Sequence, residues 1–351
     1  MSKPVFCLLA SKDTSASVLY GLYDVLSNVG PDYEDMLGGN IGDARIDVKI
    51  VASGSDSFHC LGEVPVEPHA SIDQIEHADV VVVCDMYLST TDSPIGRYPH
   101  EVAWLKRMYA RDALLCSVCS GSTVLAETGL LNGLEVSSHW GYRHLFREHY
   151  PRIRWTEASS LNLSAESQRL ITTGGVTSWQ DLSIYLIEQF CGLHHAVQTS
   201  RVFLLSKHSD GQLPFAAMSR NSQHSDALIG KCQAWIEENY HLSNPVAEMA
   251  QYAELTARTL ARRFRAATGY HPIEYVQGTR IEAAKQMLEA ETTNIEEISS
   301  AVGYEDPTSF RRLFKRKVGI TPTAYRKKFS SIAKRSRQDA VHANGMDSQK
   351  H

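Results

Sequence analysis

Two sets of residues in this chain have the types and the spacing to do chemistry. Cys119 stands in Leu114-Leu115-Cys116-Ser117-Val118-Cys119-Ser120-Gly121-Ser122, an apolar run, a tight turn with a nearby glycine, and the start of a helix. That order is the geometry of a nucleophile elbow. A helix beginning just after the cysteine would favour the thiolate and lower the thiol pKa. His139, in Ser137-Ser138-His139-Trp140, follows a short strand and would be the accompanying base. Taken alone, however, a cysteine after a strand is more often a buried small hydrophobe. The second set is cationic: Arg258, Arg262 and Arg265, then Arg311, Arg312 and Lys315. Guanidinium groups on the exposed face of a helix bond guanine edges in bidentate fashion and neutralise phosphates. One set would form a covalent bond; the other would read a polyanion.

The elements that must position the cations repeat. Leu260-Ala261-Arg262-Arg263-Phe264, Gly269, Pro272 and Tyr275 return fifty positions later as Phe310-Arg311-Arg312-Leu313-Phe314, Gly319, Pro322 and Tyr325. Two copies are too few for a solenoid, so they read as paired modules. Each copy has the grammar of a helix-turn-helix. Asn244-Pro245 opens a first helix with Val246, Met249, Ala250 and Ala253 at helical spacing. A turn over 253–255 follows, and Thr256 caps a second helix with Leu260, Phe264 and Ala267 inside, closed by Gly269. In the second copy Ile295, Ile298 and Val302 form the first helix. Asp306-Pro307 then opens a helix with Phe310, Phe314 and Val318 inside, and Thr308, Arg311, Arg312 and Lys315 outside. One long helix from Ile273 to Ala290, with Ile273, Val276, Ile281, Ala284 and Leu288 apolar, connects the modules.

Charge is divided along the chain in the same way. Residues 243–337 carry 17 Lys plus Arg against 10 Asp plus Glu, a net +7, whereas residues 1–242 carry 17 against 28, a net −11. The whole-chain charge of −5 conceals a basic end suited to a polyanion.

With Met249-Ala250, Thr256, Arg258, Leu260, Arg262, Phe264 and Gly269, and then Ile298, Val302-Gly303-Tyr304, Asp306-Pro307, Phe310, Phe314, Gly319, Thr321-Pro322 and Tyr325-Arg326, residues 231–329 resemble the DNA-binding domain of the AraC family of transcription regulators. The resemblance implies double-stranded promoter DNA as partner, with two reading helices entering successive major grooves about 34 Å apart. By similarity the base-facing positions are Arg258, Ala261 and Arg262, then Thr308, Arg311 and Arg312, with Arg265 and Lys315 completing the basic faces. Ala261 reaches no more than a thymine methyl, so the arginines must carry the first half-site.

The remaining two-thirds read as an α/β domain. Val5–Ala10, Ile46–Val51, Val80–Cys84, Leu114–Val118 and Leu170–Thr173 are short apolar runs. Helical stretches lie between them at Ser17–Asn28, Pro99–Arg111, Ser122–Thr128 and Ser178–Phe190. Such alternation predicts a parallel sheet with helices on both faces, with ligands outside the carboxyl ends of the strands. No apolar run reaches the roughly 20 residues of a membrane span and no signal-peptide pattern opens the chain, so a cytoplasmic protein with seven reduced cysteines is expected. Cys116 and Cys119 form a C-x-x-C without a second pair, so no metal and no cofactor are expected. The domain divisions read from composition are 1–205, a polar linker over 206–228 in which 212–215 packs on the first domain, 229–330, and a disordered tail over 331–351.

The elbow, together with Leu125-Ala126-Glu127-Thr128-Gly129-Leu130-Leu131-Asn132-Gly133, His139-Trp140, and Thr173-Gly174-Gly175-Val176 before a helix containing Asp181, resembles the class I glutamine amidotransferase-like superfamily, in particular PfpI-like cysteine proteins. That implies a flavodoxin-like sheet. Joined to an AraC-type end, the arrangement resembles the GlxA group of regulators. Two departures argue against catalysis. The glutamate of enzymatic relatives is matched by no more than Asp24, and their Gly-Gly after the third strand is replaced by Asp85-Met86, which puts negative charge near a developing oxyanion.

Two readings stay open. In the first, a pocket bounded by Asp24, Asp85, Met86, Cys119, His139 and Trp140 senses a nitrogenous metabolite. Tyr23, Tyr87, Trp140 or Trp179 would then be available to a cation, and a homodimer would activate transcription through RNA polymerase. In the second, a cysteine amidase or hydrolase using Cys119 and His139 is tethered to a DNA-binding module. A redox switch through Cys116 and Cys119 is a third possibility.

Overall fold

The computed structural model describes residues 2–36, 38, 43–164, 167–218, 224–290 and 293–330. The expected disordered tail, 331–351, and residues 219–223 of the expected linker lie outside the described residues. The chain divides into two compact units, 1–212 and 213–351.

In the first unit the order is β1 (Val5–Leu9), α1 (Ala16–Ser27), α2 (Pro31–Met36), β2 (Asp47–Ala52), β3 (Phe58–Cys60), β4 (Val64–Val66), β5 (Ala70–Ser71), β6 (Val80–Val83), α3 (Pro99–Ala110), β7 (Leu114–Ser117), α4 (Gly121–Glu127), β8 (Glu135–Ser137), α5 (Arg143–His149), β9 (Arg154–Thr156), β10 (Leu161–Leu163), β11 (Leu170–Thr173), α6 (Trp179–Cys191) and α7 (Leu193–Val202). Seven strands form one sheet in the order β10-β11-β7-β6-β1-β2-β5. All pairings are parallel except the edge pair β10–β11.

The central strands β1 and β6 are apolar throughout because both sheet faces are covered. Phe6 and Leu8 point into the core shared with α1, α6 and α7; Cys7 and Leu9 point into the core shared with α3, α4 and α5. The expected parallel sheet with helices on both faces is therefore present. The short strand expected before His139 is β8, and sequence reading passed over α2, the β3–β4 hairpin, β5, β9, β10, α5 and α7.

The second unit contains helices α8 (Ala227–Asn239), α9 (Pro245–Tyr252), α10 (Ala257–Thr268), α11 (Pro272–Ala290), α12 (Ile295–Ala301) and α13 (Pro307–Val318), and residues 322–330 are also helical. Its two cores are successive. Met249, Leu260, Phe264, Tyr275 and Val276 belong to the first, and Ile281, Leu288, Ile298, Phe310, Phe314 and Tyr325 to the second. The same aromatic pair recurs in each: Phe264 meets Tyr275 edge-on at 5.2 Å, and Phe314 meets Tyr325 edge-on at 5.6 Å. Burying each phenylalanine contributes about 1.5–3 kcal/mol. Since α11 supplies side chains to both cores, the modules share one rigid rod. Ile273, expected among its apolar residues, is 51% exposed on the first turn, before either core begins.

Candidate functional sites

Cys119 occupies the left-handed region, φ 53°, between β7 and α4. The conformation is held by the sheet: Val118 donates to the Val83 carbonyl (3.0 Å) and Cys119 donates to the Thr173 carbonyl (3.2 Å). Gly121 must be glycine, since a Cβ there would overlap the carbonyl oxygens of Val83 and Cys84. The elbow expected from sequence is thus present.

Its chemistry is not what the elbow led us to expect. Cys119 is only 4% exposed, and burial together with the nearby Asp85 charge pushes its thiol up to about 12, opposite to the expected lowering. The favourable field at the start of a seven-residue helix is modest and local, and desolvation outweighs it. Asp85 is buried as well and accepts from the Ser15 amide (3.2 Å) and the Ser15 hydroxyl; its carboxyl is raised by burial.

His139 stands beside Trp140, ring centroids 4.9 Å apart, and its Nδ1 accepts from the Gly141 amide (3.1 Å), which leaves the proton of the neutral ring on Nε2. Burial lowers its pKa. Neutral cysteine and neutral histidine are the ground state here, not an ion pair.

The neighbouring polar groups bond one another. Met86 is fully buried, and its amide donates to the Ser120 hydroxyl (3.1 Å). The hydroxyls of Ser122 and Ser138 both donate to the Cys119 carbonyl, at 2.8 and 3.2 Å. Gln212, the first residue of the stretch expected to pack on the first domain, is buried with its amide nitrogen donating to the Ser138 carbonyl (2.8 Å) and its amide oxygen accepting from the Trp140 amide (3.2 Å). Residues 206–212 are accordingly built into the first unit.

Asp24 is a correction. It lies on the exposed face of α1, away from the stripe of Val18, Leu19, Leu22, Val25 and Leu26 that enters the core, and does not join this cluster. The chosen residue was acidic, but helical phase turns it to solvent. Among the aromatic candidates for a cation, Trp179 packs on Gly21, Tyr23 stacks on His69 at 5.4 Å, and Tyr87 is 58% exposed. Cys116 is fully buried, with its thiol raised by burial.

In the second unit the cations are placed outward. Thr256 caps α10 by accepting from the Thr259 amide (3.3 Å), and Asp306 caps α13 by accepting from the Thr308 (3.0 Å) and Ser309 (2.9 Å) amides. Both helices end on left-handed glycines, Gly269 at φ 79° and Gly319 at φ 82°. Arg258, Arg262 and Arg265 are exposed on α10, with Ala261 half-buried beside them; Thr308, Arg311, Arg312 and Lys315 are exposed on α13.

Three further ties were missed from sequence. Arg263 forms a bidentate pair with Asp226 (3.0 and 2.7 Å), the residue that also caps α8, so this arginine fastens α10 instead of facing outward. Arg311 is paired with Glu296 of α12. Buried Arg280 of α11 donates to the carbonyls of Tyr240 (2.7 Å) and Leu242 (2.6 Å) and lies 4.8 Å from the Tyr304 ring centre, so the end of α8 and the turn of the second module are held by one side chain. No residue spacing signals such long-range partners.

No helix among the described residues is long and apolar enough to cross a membrane. Residues 7–189 match the DJ-1/PfpI family and residues 249–328 match a helix-turn-helix domain. The chain is 30% identical to the HTH-type transcriptional regulator CdhR of Pseudomonas aeruginosa over 64% of its own length, spanning 66% of that protein. It is 25% identical to the HTH-type transcriptional regulator GlxA of Rhizobium meliloti, over 65% of this chain and 69% of that one. A crystal structure of a protein from Vibrio parahaemolyticus described as a transcriptional regulator superposes with a TM-score of 0.50 at 16% identity, covering 58% of this chain and all of that one, and shares the fold. The chain belongs to the DJ-1/PfpI family and carries a C-terminal helix-turn-helix domain of the AraC type.

Proposed function

We propose that this protein is a sequence-specific, ligand-responsive transcription regulator that binds promoter DNA as a homodimer in the cytoplasm and activates transcription with RNA polymerase. The observation that carries the reading is the pair of capped helices, α10 and α13, each with its apolar face in its own core and its arginines exposed. Arg258 and Arg262 read the first half-site; Thr308, Arg311 and Arg312 read the second; Arg265 and Lys315 bind phosphate. Gel-shift titration on a selected operator and on random DNA tests this. A preference for the operator that disappears in an Arg262→Ala, Arg312→Ala double variant is expected; equal affinity of the parent protein for both DNAs overturns it.

The first unit is the sensor, not an enzyme. A thiol held near 12, a buried Asp85 beside it and a histidine whose Nδ1 is spent on a backbone amide all support a degenerate cysteine site. Amidase and deglycase assays with Cys119→Ser as control test that reading, and turnover dependent on Cys119 would end it.

A further inference from the structure

The middle of α11 carries two residues that neither helix formation nor core packing explains. Gly278 sits in a helix interior, where glycine is destabilising, and Lys285 has a side chain only 8% exposed, where an ammonium is costly unless paired. Together with Glu282 they share one helical face, at i, i+4 and i+7.

Both are accounted for by the segment that opens the second unit. Met218 lies against Gly278, where a Cβ would overlap the methionine sulfur. The Ala216 carbonyl accepts from Lys285 Nζ (2.5 Å), which also pairs with Glu282 (3.0 Å), so a backbone carbonyl of this segment helps to satisfy the buried cation. Phe215, expected to pack on the first domain, meets Phe329 edge-on instead (5.4 Å), with the Lys328 ammonium 4.9 Å from its ring centre. Phe329 in turn packs on Tyr325 of the second core (4.5 Å). Residues 215–218 therefore run antiparallel to α11, from the last helix of the second module past Lys285 to Gly278, which closely follows Val276 of the first core in sequence.

Resting on the reading of α10 and α13 as DNA readers, we propose that residues 213–218 are a strap that holds the two reading modules at one spacing, and that the first unit acts on DNA binding by seating or loosening it. Reading two half-sites at once needs both modules at a fixed separation, and play between them dilutes the second contact. The strap touches both α11 and the last helix, so it braces one against the other. Gln212, the residue before it, is bonded to Ser138 and Trp140 of the first unit, so no flexible spacer separates that anchor from the strap.

The test uses the full-length chain and two readouts. Chymotrypsin cuts after Phe215 when the segment leaves its seat, and the rate follows the open population. Gel-shift titration compares a selected operator with a duplex carrying one half-site. Two variants unseat the strap by different means. Gly278→Leu puts a good helix former where Met218 lies, and Lys285→Met removes the bond to the Ala216 carbonyl without leaving a buried charge unpaired on the lysine side. In each, cleavage after Phe215 should speed up and operator affinity should fall about tenfold, with half-site binding unchanged. Adding Met218→Ala to Gly278→Leu removes the overlapping sulfur and should restore both readouts. Gln212→Ala, which frees the anchor just upstream, should speed the same cleavage. Parental cleavage in both unseating variants overturns the seating. Faster cleavage with parental operator affinity, or with equal loss on the half-site duplex, overturns the positioning role. An unchanged rate in Gln212→Ala overturns the route from the first unit. A parent protein that binds operator and random DNA equally refutes the regulator reading instead, a result separable from the cleavage rates, which are measured without DNA.

Discussion

The elbow of the first unit and the reading helices of the second are built alike and end oppositely. Each places a reactive side chain on a helix or at its start. Around Cys119 the fold leaves the side chain buried near Asp85, the hydroxyls of Ser122 and Ser138 bond its carbonyl, and burial favours the neutral thiol. On α10 and α13 the apolar faces go inward and Arg258, Arg262, Arg265 and Arg312 stay exposed to water, while Arg263 and Arg311 are paired with acidic residues. The same kind of local geometry yields a sealed thiol in one place and a contact surface in the other. Desolvation, not motif, decides which.

That contrast can be broken most severely by removing what holds a reading helix up. Phe314→Ala empties the second core and should cost about 3–5 kcal/mol in urea denaturation, with operator binding lost. A cost below about 1 kcal/mol, within the range of a surface change, would mean that the helix does not depend on its own core. Next in size, Arg262→Ala and Arg312→Ala should each lose about 1–3 kcal/mol of specific DNA binding and relax discrimination at particular base pairs, whereas Lys327→Ala, outside the reading faces, should weaken all sequences alike. Uniform loss in the arginine variants, on operator and random DNA, would remove their base-reading role.

Smaller effects sharpen the picture. Asp226→Asn breaks a partly exposed pair and a helix cap, and about 1 kcal/mol of stability is expected to go with it, read by chemical denaturation. Arg263→Ala should match it if the pair is what matters.

Asp306 gives a pH signature. Its cap hydrogen bonds from Ser309 and Thr308 lower its pKa from 3.8 to about 2, so the folded state binds this proton less readily than the unfolded one. The stabilisation is complete above the unfolded value and is lost as pH falls from near 4 through 2. Acid titration followed by circular dichroism should show a transition in that window that Asp306→Asn diminishes; an unchanged curve in the variant would remove the cap from the account. The smallest expected effect lies at the elbow. Native protein at pH 8 should leave Cys119 unlabelled by iodoacetamide, with labelling appearing on unfolding, and rapid native labelling would contradict a sealed, neutral thiol.

The strands β1, β2, β6, β7 and β11 were legible because each is a short, predominantly apolar or β-branched run between polar or glycine-containing turns, as the covered faces of a parallel sheet demand. The reading helices were legible because their caps, their period and their closing glycines are local signals, repeated twice. Short edge pieces such as β3, β4 and β5 carry too few residues to show a period. Asp24 was misplaced because composition was weighed before helical phase. The partners of Gln212, Arg280, Arg263 and Arg311 escaped because their bonds join residues 15 to 75 positions apart.

Sequence alone determined the central strands and the helices of the two reading modules, where each basic face lies, and that the chain has an acidic body and a basic end. These follow from spacing and charge, which act over a few residues. Tertiary structure alone decided that the Cys119 thiol is pushed towards its neutral form, that Asp181 is consumed by His208, and that Arg263 is a fastener instead of a reader. Ionisation and availability depend on what lies within a few ångströms in space, and the linear order of residues does not contain that distance.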